Sequence, residues 1–542
     1  MAESTGPLER GLAVLRVLSA STHDDRAVRH SDLVRATGLA RATVDRVVST
    51  LDRLGLVRGD GREVRPAPGL MALPAAYLRA SGIPAALGPP TEELADLCDE
   101  SVSVAVPDGD GVRFVLQHRR RRAMGLTLRL GEWQPAERCA PGALFAAQWG
   151  PGEWAAWRLR TSEGDAGADA GAGEDGGDTS EDGDASEHGD IFERRVAASA
   201  ERGWAGDDQL LEPGLMAVSV PVRDPGGRIV CAVSVASHTH RHTLDSLAAA
   251  LLPLLRERVG AWESALAAPR PSAPPTPVDD TSLAVKRELG PDFVRSLARG
   301  LAVLTALGED RGDGLTLSET AAATGLARAT ARRSLLTLSE LGYAEAVEGR
   351  FTALPRVLEL GCARLSGLTL TDVARPHLED LVGRVRESAS LAVLDGGDIR
   401  YVARVPTVRI MSITITVGTR FPAYATSMGR VLLANRPRAE RPPLPAVLPA
   451  LTRHTVTSPD RLAGILDEVA ANGHALVDQE LEEGLRSLAV PVRDAGGRVV
   501  AALNVAQHTG HGSPDAMRAA LLAPLRETAG LIERDLRALA AV

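Results

Sequence analysis

The chain has 542 residues, 44% of them hydrophobic and 24% charged, enough for several compact domains each with its own core. Aromatics make up only 3%, so the cores rest on Ala, Val and Leu, and no apolar run approaches the ~18 residues of a membrane span. The formal charge of −9 is concentrated in residues 161–190, which carry eleven Asp or Glu and no Lys or Arg; the rest stands at +2, so the acidity excludes no polyanionic partner.

Met1-Ala2-Glu3-Ser4 leads into polar sequence that does not read as a signal peptide, so the protein is expected to stay in the cytoplasm. Four cysteines, Cys98, Cys139, Cys231 and Cys362, have neither pairing nor metal-ligand spacing, as expected in a reducing compartment with no structural zinc and no cofactor.

Arg10 to Leu15 reads as an apolar helix. Behind it Ser31 to Thr37 leads into Gly38, placed to take the left-handed conformation that ends a helix, and a second helix runs from about Arg41 to Leu51. This is a helix-turn-helix layout. Val44, Val47, Val48 and Leu51 form its buried stripe, while Arg41, Thr43, Arg46 and Thr50 lie off it. Leu54-Gly55-Leu56-Val57 follows, and Leu70 to Leu78 reads as a connecting helix. A Gly-rich turn at 108–111 between alternating apolar stretches marks a hairpin. Residues 161–190 hold almost no large apolar side chain and are expected to form a disordered surface loop. Ile229 to Val235 is a near-continuous apolar run, hence a central strand, and Thr243 to about Leu266 closes the copy as a helix. Residues 267–290, with five prolines, read as a linker able to span roughly 80 Å at ~3.5 Å per residue.

The whole pattern then returns. Arg299 to Leu304 repeats Arg10 to Leu15 letter for letter, and Gly325-Leu326-Ala327-Arg328-Ala329-Thr330 repeats residues 38–43 identically. In the second helix-turn-helix Ala331, Leu335 and Leu338 lie inside, with Arg328, Thr330, Arg332 and Arg333 outside. Arg pairs with guanine through two parallel hydrogen bonds and Thr offers a hydroxyl and a methyl, so these faces suit phosphates and base edges in a major groove. Tyr343–Val347 and Arg350–Leu354 pair around Glu348-Gly349 as the hairpin of a winged helix, and Leu358 to Leu365 reads as a connecting helix. The hairpin at 395–398, the central strand around 499–505 and a last helix from Ser513, with Pro514 at its first position, complete the copy. The fold class is α+β and multidomain: winged helix 1–68, mixed α/β domain 69–266, linker 267–290, winged helix 291–354, and a linker helix with the second mixed domain 355–542.

These features, with Gly418 to Arg430 and Asp478 to Ser487, resemble the IclR family of bacterial transcription regulators, named for the isocitrate lyase regulator. The resemblance spans about 10–266 and 293–540, and 293–301 and 425–434 are similar to the branch controlling protocatechuate and β-ketoadipate catabolism. It implies a GAF-like effector domain behind each winged helix, binding to double-stranded operator DNA, and a small organic acid as effector. It further implies effector contacts at Ile410, Ile413, Ser427, Met428, Asp478, Ser487, Asn504 and Ala506. Residue chemistry adds two points. A helix starting near Ser427 offers N–H groups and a positive dipole end to a carboxylate. Asn504 is an amide within an apolar strand and needs either an internal partner or a ligand; Asp478 reads as a ligand contact or a turn carboxylate.

Copy one departs from this set. Ala140 and Pro141 replace Ser427 and Met428, Ala217 and Met216 replace Ser487 and Arg486, and Asp208 and Ser234 stand at Asp478 and Asn504. Proline has no N–H to offer an anion, so the first effector domain reads as weakened. Because family members act as dimers, two copies in one chain imply an internal pseudo-dimer, with further self-association open.

Two other functional classes stand against this reading. An enzyme lacks its usual marks: there is no phosphate loop, no nucleophile elbow and no paired-His helix. His238, His240, His242, His508 and His511 precede the last helices and read as solvated or capping groups rather than zinc ligands. A ligand-binding protein with degenerate heads is the second alternative, since Asp45 stands where copy two has Arg332.

Overall fold

The computed structural model describes residues 6–20, 27–59, 61–120, 128–168, 184–269, 290, 293–310, 312–407, 415–441 and 447–540. Most of the expected linker and the middle of the acidic insert lie outside these. The ends of the insert correct the expectation of a disordered loop: helices Pro151–Ala168 and Asp184–Arg202 run into it from both sides. Their cause is aromatic. Trp157 and Phe192, with ring centroids 5.1 Å apart, tie the two helices to one core, and helix then propagates into neighbouring Ala- and Glu-containing sequence.

The chain forms two compact units, Met1–Gly367 and Leu368–Ala540, so the second winged helix groups with the first copy. In the first unit each head is built alike. Copy one has a lead helix Pro7–Ala20, a support helix His30–Thr37, a recognition helix Arg41–Arg53, and strands Val28–Arg29, Glu63–Pro66 and Val57–Gly59 in one small sheet. Copy two has Arg295–Ala306, Leu317–Thr324 and Arg328–Glu340, with strands Leu315–Thr316, Arg350–Ala353 and Ala344–Val347. Gly38 and Gly325 take φ of 66° and 63° at the turn, a region that costs other residues strain. Val44, Val47, Val48 and Leu51 are buried, as are Ala331, Leu335 and Leu338.

The two lead helices pack on each other. A Cβ placed on Gly11 would lie 2.3 Å from Leu297 Cδ1, and one on Gly300 would lie 2.4 Å from Leu8 Cδ1. Since Leu8 and Leu297 are themselves equivalent in the repeat, the contact is two-fold in pattern. It overturns the exposed placement of Thr50, whose side chain is fully buried and accepts a hydrogen bond from the Val294 N–H at 3.1 Å. The segments leaving each head cross to the other. After a turn at Pro68–Met71, helix Ala72–Ser81 runs so close to the second head that a Cβ on Gly308 would lie 2.6 Å from Ala76 Cα. In copy two the expected helix is a 3-10 turn Pro355–Glu359 and a short helix Cys362–Leu365, interrupted at Gly361 with φ of 106°. Arg364 there donates to Leu18 O at 3.2 Å.

Each copy then carries a six-stranded antiparallel sheet. In copy two the order is Arg420–Pro422, Asp398–Val405, Ser388–Asp395, Val499–His508, Leu485–Arg493, Ala475–Asp478. Copy one repeats it with Trp133–Pro135, Gly111–His118, Ser101–Asp108, Ile229–His238, Leu215–Arg223 and Ala205–Asp208. The apolar runs 229–235 and 499–505 are thus central, as expected. In the second unit one sheet face packs against helices Leu370–Val385 and Pro514–Leu539, and the other against Ser427–Ala434 and Pro459–Asn472. Alternate strand residues therefore serve different cores. His238 and His508 accept from the N–H of His240 and Gly510, the capping role expected of them.

Overpacking a lead-helix crossing costs about 1–3 kcal/mol. Gly11→Val and Gly300→Val should each lower stability by that amount in urea unfolding. Gly260→Ala, in a helix with nothing within 4 Å of its added methyl, should leave stability unchanged or raise it.

Candidate operator-binding face and effector site

The two recognition helices start on matching backbone, with Ala40 at φ −60° and ψ 141° and Ala327 at −59° and 138°. Residues one turn in therefore occupy equivalent places. In copy two Arg328, Arg332 and Arg333 are all exposed and Thr330 is half-buried beside them. In copy one Arg41 and Arg46 are exposed, Thr43 is half-buried, and Asp45 takes the place of Arg332. The Asp45 carboxylate is held by His30 Nδ1 at 2.7 Å and lies 3.8 Å from Arg41 Nε. Copy two thus offers three arginines to a polyanion, whereas copy one sets an acid among its basic groups.

The candidate effector site lies on the sheet face beneath helix Ser427–Ala434. Cross-strand register aligns Arg404, Ser390, Asn504 and Ala489 in one row, and Ser388, Ala506 and Ser487 in the next row on the same face. Ser427 Oγ shares a hydrogen bond with Ser487 Oγ at 2.8 Å, which brings the helix start onto this floor. Asn504 is 4% exposed, and its Oδ1 has no hydrogen-bond partner among the described residues. An orphaned buried amide oxygen is costly and marks a place for a donor. Arg404 donates to Ser390 Oγ at 3.5 Å, and burial lowers its pKa from the usual range. A guanidinium in partial burial favours a carboxylate neighbour.

Four of the eight expected effector residues, Ser427, Ser487, Asn504 and Ala506, come together here. Met428 sits at the same helix start, but its side chain is buried in the apolar core. Ile410 and Ile413 lie outside the described residues. Asp478 does not join them. It pairs with Arg486 through two hydrogen bonds of 2.9 and 3.1 Å, and strand alternation puts that pair on the face opposite Ser487. The helix start is also more occupied than expected, because the Gly429 N–H already donates to Thr426 Oγ1 at 3.1 Å. Arg430, two positions beyond Met428, is structural: it makes a buried two-point ion pair with Glu480 at 2.8 and 2.6 Å. Sequence reading missed Arg404. Its signal was the repeat itself, since Gln117 stands there in copy one.

That copy closes its own floor. Ser234 and Ser219, at the positions of Asn504 and Ala489, hydrogen-bond each other at 2.6 Å, and Gln117 Oε1 accepts from the Leu128 N–H. Helix Ala140–Ala146 begins with Ala140 and Pro141, and Ala217 lies where Ser487 would. A cavity of 1110 Å³ in the first unit, lined in part by Tyr77, Trp149 and Glu345, includes none of these floor residues.

Two outcomes follow. Arg333→Ala should cost ~1–3 kcal/mol at a specific operator and less on random duplex; equal losses would reduce Arg333 to a phosphate contact. Asn504→Leu should raise stability by about 1–3 kcal/mol in urea unfolding, because it removes an unsatisfied buried amide. A clear loss of stability would mean the amide is satisfied within the protein.

Comparison with known proteins accords with this architecture. The IclR helix-turn-helix domain matches residues 7–61 and 296–348, and the bacterial transcriptional regulator IclR C-terminal domain matches 187–261 and 362–534. The Pca regulon regulatory protein of Pseudomonas putida is 46% identical over 227 residues, 41% of this chain and 76% of that protein. The p-hydroxybenzoate hydroxylase transcriptional activator of Acinetobacter baylyi is 36% identical over 245 residues, 44% of this chain and 90% of its own length. Among solved structures, a putative transcriptional regulator from Rhodococcus sp. RHA1 is 49% identical, with a TM-score of 0.43, covering 46% of this chain and 99% of that one. These relatives are regulators and not enzymes, and among the described residues no single helix is long and apolar enough to cross a membrane. With a doubled winged helix and a doubled effector domain, the chain belongs to the IclR family of transcriptional regulators, as two of its units joined in tandem.

Proposed function

We propose that this regulator binds duplex operator DNA in the cytoplasm through both heads of one chain, as an internal pseudo-dimer, and answers to an acid sensed by the second effector domain alone. The effector is an aromatic or dicarboxylic acid of the protocatechuate to β-ketoadipate series. The observation that carries the reading is the difference between the two floors. Asn504 leaves an amide oxygen without a donor, whereas Ser219 and Ser234 satisfy each other. Arg404 provides the counter-charge for a carboxylate, and Asn504 and Ser487 orient a hydroxyl or a second acid. The names of the relatives in Pseudomonas and Acinetobacter, regulators of pca genes and of p-hydroxybenzoate hydroxylase, support this effector class. Domain limits follow the repeat, with winged helices at 1–68 and 291–354.

The test is calorimetry on the full chain with protocatechuate and β-ketoadipate. One ligand should bind per chain. Arg404→Gln and Asn504→Ala should each weaken binding about tenfold or more, the worth of one charge-assisted hydrogen bond, while Ser234→Ala changes nothing. Two ligands per chain would remove the inequality of the two domains. Binding of neither acid would withdraw the effector class and leave DNA binding untouched.

A further inference from the structure

The recognition helices differ where a symmetric reader would have to agree. Of the exposed basic positions, Arg41 and Arg46 of the first head match Arg328 and Arg333 of the second, and Thr43 matches Thr330. Between them Asp45 replaces Arg332 on a backbone whose start is the same within a few degrees. The side chains ask for opposite partners. Arg donates, and its best base is guanine through O6 and N7; Asp only accepts, and its best base is cytosine through the N4 amino group. Asp45 is not a loose surface acid. His30 Nδ1 at 2.7 Å fixes one oxygen, and Arg41 stands 3.8 Å from the other. His30 has no counterpart in copy two, where Leu317 occupies its place.

We propose that the operator of this protein is not a palindrome: its two half-sites differ at the base pair facing Asp45 and Arg332, and those two residues set the difference. The proposal rests on the DNA-binding reading above. In a homodimer both heads carry the same side chains, and reversing the protein on its site changes nothing. Here Gly11 and Gly300 lock one head of each kind against the other within a single chain. Every molecule therefore presents an acid-bearing face and an all-arginine face, and one orientation on the duplex is preferred.

The experiment is selection of the full-length protein on a randomised duplex pool, repeated with Asp45→Arg and with the reciprocal Arg332→Asp. The wild type should enrich two half-sites that differ at one corresponding pair, with cytosine on the contacted strand in one and guanine in the other. Either variant should enrich matching half-sites and bind the wild-type site about tenfold more weakly. A palindrome enriched by the wild type would overturn the proposal, as would unequal half-sites that neither substitution makes equal. Recovery of a single half-site would likewise overturn it, since the first head would then read no base. A protein that retains no duplex even at low salt would instead fail the DNA-binding reading itself.

Discussion

At the crossing of the lead helices Gly11 lies against Leu297 and Gly300 against Leu8, with no room at either place for a side chain carbon. Backbones that approach this closely fix the spacing of whatever is attached to them. The recognition helices are so attached, through the buried stripes that pack them onto the lead helices. The same approach buries Thr50 and turns its hydroxyl into an acceptor for the Val294 N–H. It also brings the connecting segment of each copy onto the other head, where Arg364 reaches Leu18 O. The contact joins the two heads within one chain.

Joining two copies in one chain releases each from the requirement to match. In a homodimer a substitution appears on both heads and in both effector domains at once. Here Asp45 appears once, and so does Asn504. In the first floor Ser219 and Ser234 hydrogen-bond each other at 2.6 Å, with Gln117 beside them. The second floor carries an amide oxygen with no partner among the described residues, a feature that lowers stability unless something binds.

Buried charge in the second domain is of two kinds. Arg430 with Glu480, and Arg486 with Asp478, are closed pairs with two hydrogen bonds each, and they hold loops and strand ends in register. Breaking such a pair by removing one partner leaves a stranded charge, so these residues are constrained for structural reasons whatever the ligand. Arg404 stands on the polar floor, in one cross-strand row with Ser390 and Asn504.

The sequence by itself determined the elements. The glycines at 38 and 325, the apolar stripes of the recognition helices, the capped final helices and the long apolar strands are all fixed by interactions within a few residues, which periodicity and capping rules read directly. The repeat also exposed which positions had diverged. Only the tertiary structure decided which diverged positions meet. Asp478 and Ser487 come from one motif, yet strand alternation sends them to opposite faces of the sheet. Arg404 and Asn504, a hundred residues apart, become neighbours through Ser390, on a strand that pairs with both of theirs. Thr50 looks exposed on its own helix and is buried by a head that begins more than two hundred residues later. Contacts between residues so distant in the chain follow from packing geometry, and no local pattern encodes them.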